Sequence, residues 1–205
     1  MLLWASAAFL LIGLLCLFID RRAAARFREE SGWHVWFFLR TTDFAKGLHW
    51  ILLAVLAYGA AQAWIALLGE NMPVRRFSDL SLCLLTMVLI ASVFLHTAKL
   101  LLGRRRPRDD HQHGLYGLKP FAFDAQYDSF PSGHAMTIFC VAVVASSAVP
   151  VLAPLWFLLA FYLSLTRAFL TAHFLSDVCI GAALGLFIAR ETILILFPAL
   201  ALSWF

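Results

Sequence analysis

Residues 129–166 read SFPSGHAMTIFCVAVVASSAVPVLAPLWFLLAFYLSLT, without one formal charge. A bilayer core takes about 20 apolar helical residues per crossing. The run is therefore too long for one span and too apolar for a soluble connection. Pro150 and Pro154 interrupt it, and an interior proline removes a helical hydrogen bond and clashes with the preceding turn. The stretch divides into two spans, over 134–149 and 154–166.

Three more charge-free windows lie outside it, at 2–19, 47–69 and 80–98, and one further apolar stretch begins near Ala172 and runs to Arg190 or a little beyond, with Asp177 as its interior charge. Together they predict an all-α integral membrane protein, a six-transmembrane-helix bundle forming one domain over 1–205. The tail 192–205 either prolongs the last span or lies along the interface. The first run lacks a basic leading segment and a small-residue cleavage site, so it reads as a retained span. Apolar residues make up 62% of the chain and charged ones 14%, against roughly 45–50% and 25% in soluble domains. The net charge of +4 does not point to nucleic acid, because the basic residues border apolar spans. That placement fits anionic head groups. Cys16, Cys83, Cys140 and Cys179 all sit in apolar runs without ligand spacing and read as packing residues.

Between the first two spans, Arg21, Arg22, Arg26 and Arg28 precede Trp33, Trp36, Phe37 and Phe38. Basic residues beside aromatic ones suit interfacial helices in the head-group layer. His34, His49 and His96 read as packing or interface residues, and His111 and His113 as part of a long loop.

Three clusters carry chemistry. Lys99 precedes Arg106-Pro107 by two helical turns, which would project both cations from one face of a helix that Pro107 ends. Pro131-Ser132-Gly133-His134 opens a span. There Ser132 can cap the helix, the free N–H groups can bind an anion, and Gly133 lets it approach. Arg167 is followed by His173 and Asp177, four apart and so on one helical face. A carboxylate held against one imidazole nitrogen fixes the tautomer and activates the other. Each cluster also has a plainer reading: snorkelling cations, an ordinary helix start, and a His–Asp pair satisfying itself.

In order and spacing, Lys99 to Arg106-Pro107, Pro131 to His134, and Arg167 to His173 to Asp177 resemble the three-part signature of the type 2 phosphatidic acid phosphatase superfamily. Thr166 stands where the family usually has Ser and keeps the hydroxyl. The resemblance implies a lipid phosphatase in which His173 attacks phosphorus, Asp177 orients its ring and His134 protonates the leaving oxygen. Lys99, Arg106, Ser132, Gly133 and Arg167 would bind the phosphate. It implies no metal and no other cofactor, and no carboxylate cluster for Mg²⁺ is visible. The substrate would be a lipid phosphate or diphosphate: undecaprenyl diphosphate, phosphatidylglycerophosphate, phosphatidic acid or lipid A. Phosphotransfer to a lipid hydroxyl and a non-catalytic lipid-binding role are the rival readings. Vanadium haloperoxidases share the motifs but are soluble.

With six spans, all three motifs and residues 20–46 share one membrane face. Setting aside Lys99, Arg106 and Arg167, that face carries ten Lys and Arg against three on the other. The positive-inside rule alone would make it cytoplasmic. Bacterial relatives in this superfamily work on the outer face of the inner membrane, and cations beside a site can gather anionic lipids. The expectation is therefore a bacterial inner-membrane protein with an extracytoplasmic site.

Overall fold

The computed structural model describes residues 1–29, 33–114, 116–121, 124 and 127–205, with the side chains of His34, His111, Gln112 and His113 outside the described set. Among the described residues the regular structure is helical. Helices α1 (Leu2–Cys16), α2 (Asp20–Arg28), α3 (Trp33–Thr41) and α4 (Gly47–Leu68) lead to the long α5 (Met72–Leu102). The short α6 (Pro107–His113) is followed by α7 (Gly133–Ala148), α8 (Ala153–Phe169) and α9 (Leu175–Leu196).

Helix α9 forms the centre of the bundle. It packs along α1 on one side and α7 on another, with α8 beyond α7, α5 against α7, and α4 against α5. In its most apolar window 67% of α9 is buried, against 11% of α4. Helix α4 thus presents most of its surface outward. The close α7–α9 approach has a sequence cause. A Cβ on Gly181 would meet the Ser132 carbonyl oxygen at 2.5 Å, and one on Gly185 would meet that of Met136 at 2.5 Å. Glycines four residues apart open a groove that admits a neighbouring backbone.

Among the described residues, four helical segments are long and apolar enough to cross a membrane: Gly47–Leu68, Met72–Leu102, Pro150–Phe169 and Leu175–Leu196. Helices α1 and α2, bent by 81° where they meet, make a fifth if counted together. The other expected spans fall on α1 itself, 15 residues, and α7, 16 residues. At 1.5 Å per residue these reach about 22–24 Å, less than a core of roughly 30 Å. Pro150 and Pro154 divide α7 from α8 as expected, through the turn Pro150–Leu152. The tail prolongs α9 only as far as Leu196. It turns at Pro198–Leu200, buries Leu200, and brings Trp204 against Phe157 at a ring separation of 6.0 Å. All four cysteines are free thiols.

Candidate active site

The cations of the first motif come from two elements rather than from one helical face. Helix α5 stops at Leu102 because Gly103 takes a left-handed conformation, φ 47°, and its N–H returns to the Lys99 carbonyl. A glycine accepts that conformation without cost and ends a helix. Arg106 then stands as the N-cap of α6, with Pro107 in its first turn. The two cations converge all the same, because Asp128 binds both. Its Oδ1 accepts from Arg106 Nε at 2.7 Å, and its Oδ2 lies 3.5 Å from Lys99 Nζ.

Ser132 is fully buried, and its hydroxyl accepts from Ala135 N–H as the N-cap of α7. Its own N–H donates to the Asp177 backbone carbonyl at 3.0 Å. Ser132 was expected on the phosphate, but the cavity wall is formed by Gly133 and His134 instead. An N-cap hydroxyl points back at the helix it starts, which is why the next residues face the cavity.

His173 does not share a helical face with Asp177, because α9 begins only at Leu175. The Ala172 and His173 N–H groups bond the Arg167 carbonyl at 3.1 and 3.2 Å, folding His173 back over the end of α8. Asp177 sits in the first turn of α9, where Oδ2 accepts from Phe174 N–H at 2.9 Å. A carboxylate three residues in commonly satisfies such an orphan donor. Asp177 Oδ2 stands 4.0 Å from His173 Nδ1, outside hydrogen-bond reach. The ring's partner is the Ser129 carbonyl, 2.7 Å from Nδ1. A carbonyl only accepts, so Nδ1 carries the proton and Nε2 keeps its lone pair. Asp177 acts one bond back, with Oδ2 accepting from Ser129 Oγ at 2.6 Å.

Behind Asp177 lies Arg104, a residue that sequence reasoning counted only as surface charge. Its side chain is 5% exposed. It donates to Asp177 Oδ1 at 2.5 Å, to Asp20 Oδ2 at 2.8 Å and to Ser176 Oγ at 2.7 Å. Its guanidinium stacks 4.2 Å from the Phe174 ring centroid. Asp20 also accepts from Ser176 N–H. Three buried charges thereby join the α1–α2 elbow, the first motif and the start of α9. One signal was available: an acid directly after an apolar span needs a partner or a task.

A cavity of about 320 Å³ gathers Lys99, Arg106, Gly133, His134, Arg167 and His173. Its lower wall is apolar, formed by Leu48 and Ile51 of α4 with Val88, Ala91 and Leu95 of α5. Lys46, not anticipated as a site residue, also lines it and pairs with Asp43 at 2.9 Å. Thr42 accepts from Arg167 Nη1 and from Thr166 Oγ1, each at 3.2 Å. The hydroxyl kept at position 166 thus anchors the turn Thr42–Ala45 beside the cavity. His134 Nε2 and Arg167 Nε are buried without a hydrogen-bond partner among the described residues, and such atoms call for one from a ligand. Burial, then the positive charges of Arg167 and Arg106, hold the His173 pKa well below its ordinary value. Its imidazole is therefore neutral near pH 7. Among the described residues no group of three or more His, Cys, Asp or Glu could hold a metal ion.

The chain resembles proteins of known kind. Over 102 residues it is 32% identical to a lipid A 1-phosphatase of Rhizobium etli, covering 50% of this chain and 44% of that protein. A lipid A 1-phosphatase of Rhizobium johnstonii is 29% identical over 108 residues, with 53% and 44% covered. The chain thus spans less than half the length of these relatives. The crystal structure described as the first transmembrane PAP2 type phosphatidylglycerolphosphate phosphatase from Bacillus subtilis superposes with a TM-score of 0.57. That match covers 92% of this chain and 94% of the other at 19% identity, a likeness of fold. The profile of the PAP2 superfamily matches residues 80–200, a segment that holds every motif residue and more than half of the sequence, and the chain belongs to that superfamily.

Proposed function

We propose that this chain hydrolyses a phosphate ester of a membrane lipid through a phosphohistidine at His173. One observation carries the reading: a buried, neutral imidazole has its tautomer fixed by the Ser129 carbonyl and faces a cavity with Lys99, Arg106 and Arg167. Nε2 attacks phosphorus while those cations and the N–H groups at the start of α7 hold the equatorial oxygens. Ser132 contributes by capping that helix, and Gly133 by admitting the phosphate. Phosphoryl transfer asks chiefly for such positioning and charge stabilisation. His134 Nε2 gives a proton to the departing lipid oxygen. It then takes one from the water that cleaves the phosphohistidine. Cations and helix N–H groups fill the electrostatic role that a metal plays elsewhere, so the reaction needs none.

The apolar wall from Leu48 to Leu95 suits a lipid tail, with the substrate entering sideways from the bilayer. Relatives named lipid A 1-phosphatases make that lipid's 1-phosphate the first substrate to assay. Helices α1 and α7 complete six crossings of one membrane-embedded unit, with the site on the extracytoplasmic face of a bacterial inner membrane. Two cations leave the opposing positive-inside count, since Arg104 is buried between carboxylates and Lys46 lines the cavity. Release of phosphate from a lipid panel by purified protein, abolished by His173→Ala, tests the reading. Phosphate appearing on an added lipid alcohol instead of in solution would favour a phosphotransferase.

A further inference from the structure

The cavity's cations do not stand alone, and their partners set its charge. Lys46, Lys99, Arg106 and Arg167 line it. Asp128 binds Arg106 through both Nε and Nη2 at 2.7 Å and approaches Lys99 at 3.5 Å. Asp43 pairs with Lys46 at 2.9 Å. The histidines aside, four positive charges against two negative ones leave a net of two. A phosphate monoester carries about −1.5 to −2 at neutral pH, and so does the inorganic phosphate that must leave after each turnover. A diphosphate carries more.

We propose that Asp128, with Asp43 on Lys46, is a specificity-determining counter-charge that matches this cavity to a phosphate monoester and keeps product phosphate releasable. This rests on the proposed reading of Lys99 and Arg106 as phosphate-binding groups. Asp128 does not line the cavity and acts on the substrate through those two cations. Two consequences differ in sign from those of a mere brace. A brace, once removed, loosens Lys99 and Arg106 and weakens anion binding. A counter-charge, once neutralised, leaves the cavity more positive, so it binds oxyanions more tightly and tolerates the extra charge of a diphosphate. Asn keeps an oxygen able to accept from Arg106, so Asp128→Asn changes the charge with little change in shape.

The test uses the full chain in detergent, with orthovanadate and inorganic phosphate as inhibitors, and a lipid monophosphate and its matched diphosphate as substrates. Asp128→Asn is expected to lower both inhibition constants about tenfold, the scale of one charge a few ångströms away in a partly solvated site. It is also expected to lower kcat for the monophosphate and move the kcat/KM ratio toward the diphosphate. Asp128→Glu should retain wild-type inhibition constants. Weaker inhibition, or an unchanged substrate ratio, in Asp128→Asn would overturn the proposal. Should that variant fail to fold, Asp43→Asn removes the other charge from an exposed position. It should shift both inhibition constants downward, and an unchanged value would equally overturn the proposal. Lys99→Ala tests the underlying site separately. Vanadate inhibition surviving there at wild-type strength would remove the phosphate-site reading and the proposal with it.

Discussion

His173 Nδ1 lies 2.7 Å from the Ser129 carbonyl oxygen, while the Asp177 carboxylate stands 4.0 Å away. The imidazole is therefore oriented by a backbone group, and Asp177 controls that group through its bond to Ser129 Oγ. Asp177→Asn should leave a folded protein that still forms phosphohistidine, with kcat lowered about 10- to 100-fold, the worth of a hydrogen bond to a charged group. Single-turnover kinetics check this. A loss as complete as that of His173→Ala would mean that Asp177 takes part in the chemistry directly.

Arg104 is paired with both Asp20 and Asp177, whose side chains are fully buried. Removing one partner of a buried ion pair typically costs about 3–5 kcal/mol, because the other charge is left uncompensated. Arg104→Met should therefore lower the thermal midpoint in detergent markedly, while Arg22→Met should leave it almost unchanged. Equal midpoints for the two variants would show that the buried network contributes nothing net.

The helical class, the cavity grouping of Lys99, Arg106, Gly133, His134, Arg167 and His173, and the proline break at Pro150–Pro154 were legible in the sequence, since hydropathy, motif spacing and proline each act locally. What stayed hidden depends on tertiary placement. Nothing local marks Ser129 as the residue whose carbonyl meets His173, because that contact joins positions 44 apart in sequence. Helical spacing also misled twice. It put Lys99 with Arg106, and His173 with Asp177, on shared faces, yet Gly103 and the turn before Leu175 break both helices. The close approach of Gly181 and Gly185 to the α7 backbone likewise joins segments far apart in sequence.

Burial and the neighbouring arginines keep His173 from taking a proton. In the unfolded chain it would protonate near pH 6.5. The folded protein gains stability from this above about pH 6.5 and loses it progressively as pH falls from there toward the lower folded value. ¹⁵N-histidine spectra, assigned by comparison with His173→Gln, should show one neutral, Nδ1-protonated ring through pH 6. A ring titrating with a midpoint near 6.5 would contradict the buried site.

A side chain at Gly185 would strike the Met136 backbone oxygen rather than a flexible group. Gly185→Leu should push α7 from α9, at an overpacking cost of about 1–3 kcal/mol, and displace His134 from His173. Activity should fall more than stability does, read as kcat against the fraction folded. Full kcat in the folded fraction would show that the α7–α9 contact does not set the catalytic geometry.

His134 is expected to serve the departing oxygen first and the attacking water second. General acid catalysis typically contributes about 10²–10⁴-fold, so His134→Ala should phosphorylate His173 slowly from a lipid alkoxide and recover much of that first step on p-nitrophenyl phosphate. Rescue of His173→Ala, with none for His134→Ala, would exchange the two roles.

The phosphoenzyme itself is the most direct test. After brief mixing with a lipid substrate labelled at phosphorus and an alkaline quench, which spares phosphohistidine, peptide mass spectrometry should find phosphate on His173. The label should persist in excess EDTA, accumulate in His134→Ala supplied with an activated substrate, and be absent from His173→Ala. Phosphate trapped on another residue, or turnover with no covalent phosphate under conditions where chemistry outruns hydrolysis, would contradict the account.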